Sequence, residues 1–143
     1  MGKYAEIFKM YYIDPTEFRI NSCQKTVDDY KAGKRSNDIY TQTHSKALPL
    51  LINQRDTIRQ ALTYFTPEEQ NIIAEMYGKT NKSINPPSTI AQQFNITEKE
   101  ARALANRFTR RYKVLGDNDV TEDAMMKPIT EYYEERKHEH SSN

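Results

Sequence analysis

Cysteine occurs once, at Cys23, so the chain closes no internal disulfide and offers no thiolate cluster for a metal. Tryptophan is absent. No apolar run approaches the roughly 20 residues that cross a bilayer. The opening MGKYAEIFKM has no signal-peptide apolar region, and no Ser or Thr stands where a myristoylation signal needs one. These absences predict a cytoplasmic chain with no membrane partner. Neither sign of charge prevails, with 21 Lys and Arg against 20 Asp and Glu for a net +1, which argues against a chain that coats nucleic acid over its whole surface. P-loop, glycine-rich nucleotide turn, HExxH and nucleophile elbow are all missing, so neither an enzyme nor a cofactor site is expected. With 143 residues and 36% hydrophobic content, the chain suits one modest core, or a small domain with an arm.

What is present centres on 87–106, PSTIAQQFNITEKEARALAN. Ile90, Ala91, Phe94, Ile96, Ala101 and Leu104 are spaced for two short helices around a shared core. Asn95 stands where the first helix must end left-handed, a conformation asparagine tolerates next best after glycine. Thr97 and Glu100 form a capping-box pair that opens the second helix. That is the pattern of a helix-turn-helix. Along the second helix Ala101, Leu104, Ala105, Phe108 and Tyr112 make one apolar stripe. Between Glu98 and Leu115 six basic residues (Lys99, Arg102, Arg107, Arg110, Arg111, Lys113) face two acidic ones (Glu98, Glu100), a local +4. A basic helix of this kind suits a phosphate backbone and base edges.

From the N-terminus, Tyr4, Ile7, Phe8, Tyr11 and Tyr12 recur at helical spacing and predict a short helix with an aromatic stripe. A subunit interface is the alternative use for so many tyrosines. Asp14 and Pro15 are read as cap and first residue of a second helix, which turns Ile20, Cys23, Val27 and Tyr30 inward and stops at Gly33. Residues 34–44 read as a linker. Ser45 would cap a long helix running to about Phe65, with Pro49 in its first turn and Leu48, Leu51, Ile52, Ile58, Leu62 and Phe65 as its core stripe. Thr66, Pro67 and Glu69 mark a capped helix that carries Ile72, Ile73 and Met76 inward and ends at Gly78. Ser88 is expected to cap the first helix of the motif. Residues 117–143 carry eight acidic and three basic residues and read as an acidic tail, helical from about Thr121 or frayed. His138 and His140 lie there without further ligands at zinc-site spacing.

The segments FTPEEQNIIAEMYG and STIAQQFNITEKEARALANRFTRRYK resemble region 4 of bacterial sigma factors of the main class, over about residues 62–113. The same module, near the C-terminus of a short chain, resembles phage late-gene transcription regulators of the ArpU and RinA type. Glu98, Lys99 and Ala103 depart from the sigma pattern, whereas Arg102 keeps it. Taken with the helical spacing and charge, the resemblance leads to an expected all-α protein in three parts: an N-terminal helical arm at 1–44, a sigma region 4-like helix-turn-helix domain at 45–116 and an acidic tail at 117–143. The expected function is sequence-specific transcription regulation on double-stranded DNA, in a phage or prophage setting. The recognition helix, about residues 98–113, would enter the major groove from its Thr97 and Glu98 end. Lys99, Arg102, Ala103 and Asn106 would face bases, and Arg107, Arg110, Arg111 and Lys113 would take phosphates. Ser88 and Thr89 would meet a backbone phosphate at a helix N-terminus. RNA polymerase and a second copy of the chain stand as further partners. Two alternatives remain open: an adaptor that binds polymerase or a sigma factor without reading DNA, and a phage packaging protein of the small-terminase kind.

Overall fold

The computed structural model describes residues 2–13 and 16–116. Six helices and no strand occur among them: α1 (Lys3–Tyr12), α2 (Thr16–Lys31), α3 (Ile39–Leu62), α4 (Pro67–Met76), α5 (Pro87–Phe94) and α6 (Glu98–Leu115). The fold is all-α over these residues. The proposed Asp14–Pro15 cap and the acidic tail at 117–143 lie outside the described residues.

Local chemistry sets most helix ends. At the start of α4 the Thr66 hydroxyl accepts the Glu69 N–H at 3.1 Å, and the Glu69 carboxylate accepts the Thr66 N–H at 3.0 Å. Pro67, which has no N–H to satisfy, takes the first helical position. A cap of this kind stabilises a helix by about 0.5–2 kcal/mol. The far end closes on Gly78 at φ +93°. There the Lys79 N–H reaches the Ala74 carbonyl at 3.1 Å, and the Gly78 N–H reaches that of Glu75 at 3.3 Å. Two carbonyls that the helix leaves unpaired are thereby satisfied.

The expected start of α3 is displaced. The helix opens at Ile39, not after Ser45, because the Asp38 carboxylate accepts the Thr41 N–H at 2.8 Å and Thr41 Oγ1 donates to the Ser36 carbonyl at 2.9 Å. Much of the expected linker is therefore helix, and the 44/45 boundary falls inside α3. Ser45 is an exposed residue in mid-helix. Pro49 lies in the interior, where it removes the bond its N–H would have given to Ser45, yet it is exposed and α3 runs on past it.

Two clusters form the interior. The larger joins Ile7 and Phe8 of α1, Ile58 and Ala61 at the end of α3, Ile72, Ile73 and Met76 of α4, Ile90 of α5, and Ala101, Leu104, Phe108 and Tyr112 of α6. The Phe8 ring is its hub, 4.6 Å from Phe108, 5.1 Å from Tyr77 and 5.3 Å from Tyr112, centroid to centroid. The aromatic stripe of α1 is thus core, and it packs directly on α6. The smaller cluster, Ile20, Cys23, Ala47 and Leu51, lies between α2 and α3 alone. These two helices also meet through Thr26 Oγ1 and His44 Nδ1 at 2.8 Å, and through Glu17 with Arg59 at 2.6 Å. Of the residues expected inward on α2, Val27 is half-buried and Tyr30 is exposed, because the chain turns away at Gly33 and leaves the Tyr30 ring little to pack on.

Candidate nucleic-acid interface

A three-residue turn, Asn95-Ile96-Thr97, joins α5 to α6. Asn95 adopts φ 53°, ψ 48°, and the Ile96 N–H reaches back to the Ala91 carbonyl at 3.1 Å. Thr97 then caps α6, its Oγ1 accepting the Glu100 N–H at 3.0 Å while Glu100 Oε1 accepts the Thr97 N–H at 3.3 Å. Thr97 Oγ1 also donates to Glu100 Oε1 at 3.0 Å, so this hydroxyl is committed to the cap. The cap expected of Ser88 is not made. Pro86 is the N-cap of α5, and Ser88 lies one residue inside the helix, because the Pro86–Pro87 pair starts the helix earlier. Ser88 and Thr89 remain exposed in that first turn.

Burial of Ala101, Leu104, Phe108 and Tyr112 fixes the rotation of α6 about its axis. The opposite face then presents Lys99, Ala103, Asn106 and Arg110, all exposed, over about 16 Å at 1.5 Å per residue. Arg102 is exposed beside them and pairs with Glu98 one turn earlier at 3.3 Å, an i,i+4 contact that water weakens. Lys99 and Arg110 meet no carboxylate among the described residues.

The remaining bases are held by neighbours that the sequence did not disclose. Arg107 pairs with Glu69 of α4 at 2.7 Å and lies 5.3 Å from the Phe65 ring centroid. The Thr66 N–H, and then the Arg107 guanidinium, hold the Glu69 carboxyl below its ordinary range. Arg111 lies 4.0 Å from the centroid of Tyr64, and the Lys113 ammonium 4.6 Å from that of Tyr4. Tyr4, Tyr64, Phe65 and Glu69 are 38 or more residues away from these bases in the chain, and no spacing rule connects them. The expected site residues on α6 therefore fall into two sets. Lys99, Arg102, Ala103, Asn106 and Arg110 share the outward face, while Arg107, Arg111 and Lys113 are drawn to its flanks.

Where the end of α4 and the segment before α5 meet α5 and α6, an apolar cavity of about 140 Å³ lies between Tyr77, Ile84, Pro87, Ile90 and Ala101. No group of three His, Cys, Asp or Glu residues suited to a metal occurs among the described residues, nor does a helix long and apolar enough to cross a membrane. Comparison with family models, curated proteins and solved structures returns no match, so the likeness to sigma region 4 rests on the quoted residues alone.

Proposed function

We propose that this chain is a double-stranded-DNA-binding transcription regulator whose α5–turn–α6 unit acts as a helix-turn-helix. The observation that carries the reading is the outward face of α6: a capped helix, rotated by its buried stripe, presents Lys99, Ala103, Asn106 and Arg110 to solvent. In this reading the N-terminal half of α6 enters the major groove. Lys99, Arg102 and Asn106 offer hydrogen bonds to base edges, and Ala103 offers an apolar contact to a thymine methyl. Arg107, Arg110, Arg111 and Lys113 serve the phosphates. Ser88 and Thr89, in the first turn of α5, add contacts to one strand.

Gel-shift titration against a pool of genomic fragments tests this. Neutralising four phosphates makes log K fall with log salt at a slope of roughly −4 for a monomer, and about twice that for a two-fold pair. Arg102→Ala should cost about 1–3 kcal/mol on a selected site and relax preference at one position. Arg110→Ala should weaken selected and random DNA alike. Retention of RNA polymerase with no DNA complex at low salt would replace this reading with the adaptor one.

A further inference from the structure

A cleft of about 300 Å³ opens between the C-terminal half of α6 and the turn joining α3 to α4, lined by Tyr64, Phe65, Arg107, Arg110, Arg111 and Val114. Three guanidiniums border it, and the one carboxylate paired with them among the described residues, Glu69, is engaged by Arg107. The Arg111 guanidinium lies over the half-exposed Tyr64 ring, 4.0 Å from its centroid. A cation held over a π face makes no ion pair there, so its charge is positioned without being neutralised. Arg110 lies beside it, exposed and with no carboxylate partner among the described residues. Two neighbouring guanidiniums, with no acid between them among the described residues, match the paired oxygens of a phosphodiester.

The placement on the helix adds a direction. At about 100° per residue, Arg107, Arg111 and Val114 lie on the flank of α6 that faces Tyr64, with Arg110 at its edge. The other flank carries Lys113, drawn over Tyr4. A helix in the major groove has one phosphate strand along each flank, and these two flanks offer unequal grips.

We infer that Tyr64 is a positioning residue for DNA: its ring holds Arg111 so that Arg110 and Arg111 clamp phosphates of the one strand that runs past the α3–α4 turn. The inference rests on the DNA-binding reading above and adds to it a residue outside α6 and a strand preference.

The test is a double-mutant cycle in the full chain on a duplex selected from genomic fragments, using Tyr64→Ala, Arg111→Ala and the pair. Tyr64→Phe keeps the π face, and Tyr64→Leu keeps apolar bulk without it should the alanine variant melt early. Tyr64→Ala and Tyr64→Leu should weaken binding about two- to five-fold, the loss expected for one exposed cation–π contact, and Tyr64→Phe should not. Arg111→Ala should make the salt slope shallower by about 0.9. The double variant should bind no more weakly than Arg111→Ala, since the ring acts through that guanidinium. Phosphate-ethylation interference should be concentrated on one strand opposite α6. Additive losses, a phenylalanine variant as weak as alanine, or symmetric interference would overturn the inference while DNA binding stood. Absence of any salt-dependent complex with the unaltered chain would remove the DNA reading itself.

Discussion

Replacing Gly78 by alanine examines the joint on which the orientation of α1 depends. An added Cβ would overlap Ile13 Cδ1 and stand 2.8 Å from both Ile13 Cγ1 and the Ser83 carbonyl oxygen. It meets two obstacles at once. The backbone at φ +93° costs an L-residue about 1–2 kcal/mol, and forcing a methyl into filled space costs about 1–3 kcal/mol more. Together these come to about 2–5 kcal/mol, or a fall in Tm of about 8–20 °C at roughly 4 °C per kcal/mol for a chain of this size. Gly33→Ala is the internal control. Its φ is +76°, but nothing lies within 4 Å of the added carbon, so only the backbone cost of about 1–2 kcal/mol applies. Thermal unfolding followed by far- and near-ultraviolet circular dichroism reads both variants, and the difference between them isolates the steric part. Because Ile13 ends α1, the near-ultraviolet signal of the Phe8–Tyr77–Tyr112 cluster should soften before helix content is lost. A Gly78→Ala protein no less stable than Gly33→Ala would refute the packing of α1 against the end of α4.

Three further outcomes follow from the same interior. Phe8→Ala should cost about 3–5 kcal/mol in chemical denaturation, and residues 45–116 alone, lacking Ile7 and Phe8 and beginning inside α3, should unfold without a cooperative transition. The Glu69 carboxyl is held low in the folded state, so its contribution is present above the ordinary carboxylate range and lost as pH falls through the folded value. The stability gap between the parent chain and Glu69→Gln should therefore narrow between about pH 6 and pH 3, and a gap that widens on acidification would contradict it. Gln54 is fully buried, and its amide nitrogen and oxygen have no partner among the described residues. Gln54→Met, which keeps the bulk without the polar atoms, should raise stability by about 1–3 kcal/mol in denaturant titration, whereas a loss would mean that the amide is satisfied through water.

Where a residue acts on its immediate neighbours, the sequence was a sufficient guide. Thr66 with Glu69, Thr97 with Glu100, Pro67 in a first turn, Gly78 and Asn95 at left-handed ends: each is a matter of three or four residues, and each has the expected geometry. The apolar stripe of α6 was legible for the same reason. Errors arose where a rule of thumb competed with tertiary packing or with a stronger local signal nearby. Pro49 suggested a nearby helix start, yet a proline lacking one hydrogen bond is carried within a long helix packed on α2. Ser88 has a capping side chain, but the two prolines before it begin the helix sooner. Tyr30 has the right spacing to be inward and the wrong position, at the open end of α2. The partners of Arg107, Arg111 and Lys113 are set by how α6 lies against α1 and the α3–α4 turn, which no local pattern encodes.

The uneven division of the interior gives the molecule two levels of protection against opening. The cluster that ties α1, α4, α5, α6 and the end of α3 together holds fourteen buried side chains, whereas the cluster between α2 and α3 holds four. At about 1.5–3 kcal/mol for each large aliphatic or aromatic side chain, the smaller set can part at a free energy well below that of global unfolding. Cys23 belongs to that smaller set, and burial raises its thiol above the ordinary range, which keeps it unreactive while the helices are closed. A thiol reagent therefore reports the separation of α2 from α3. Where its rate exceeds that of global unfolding, it measures how often this hairpin breathes.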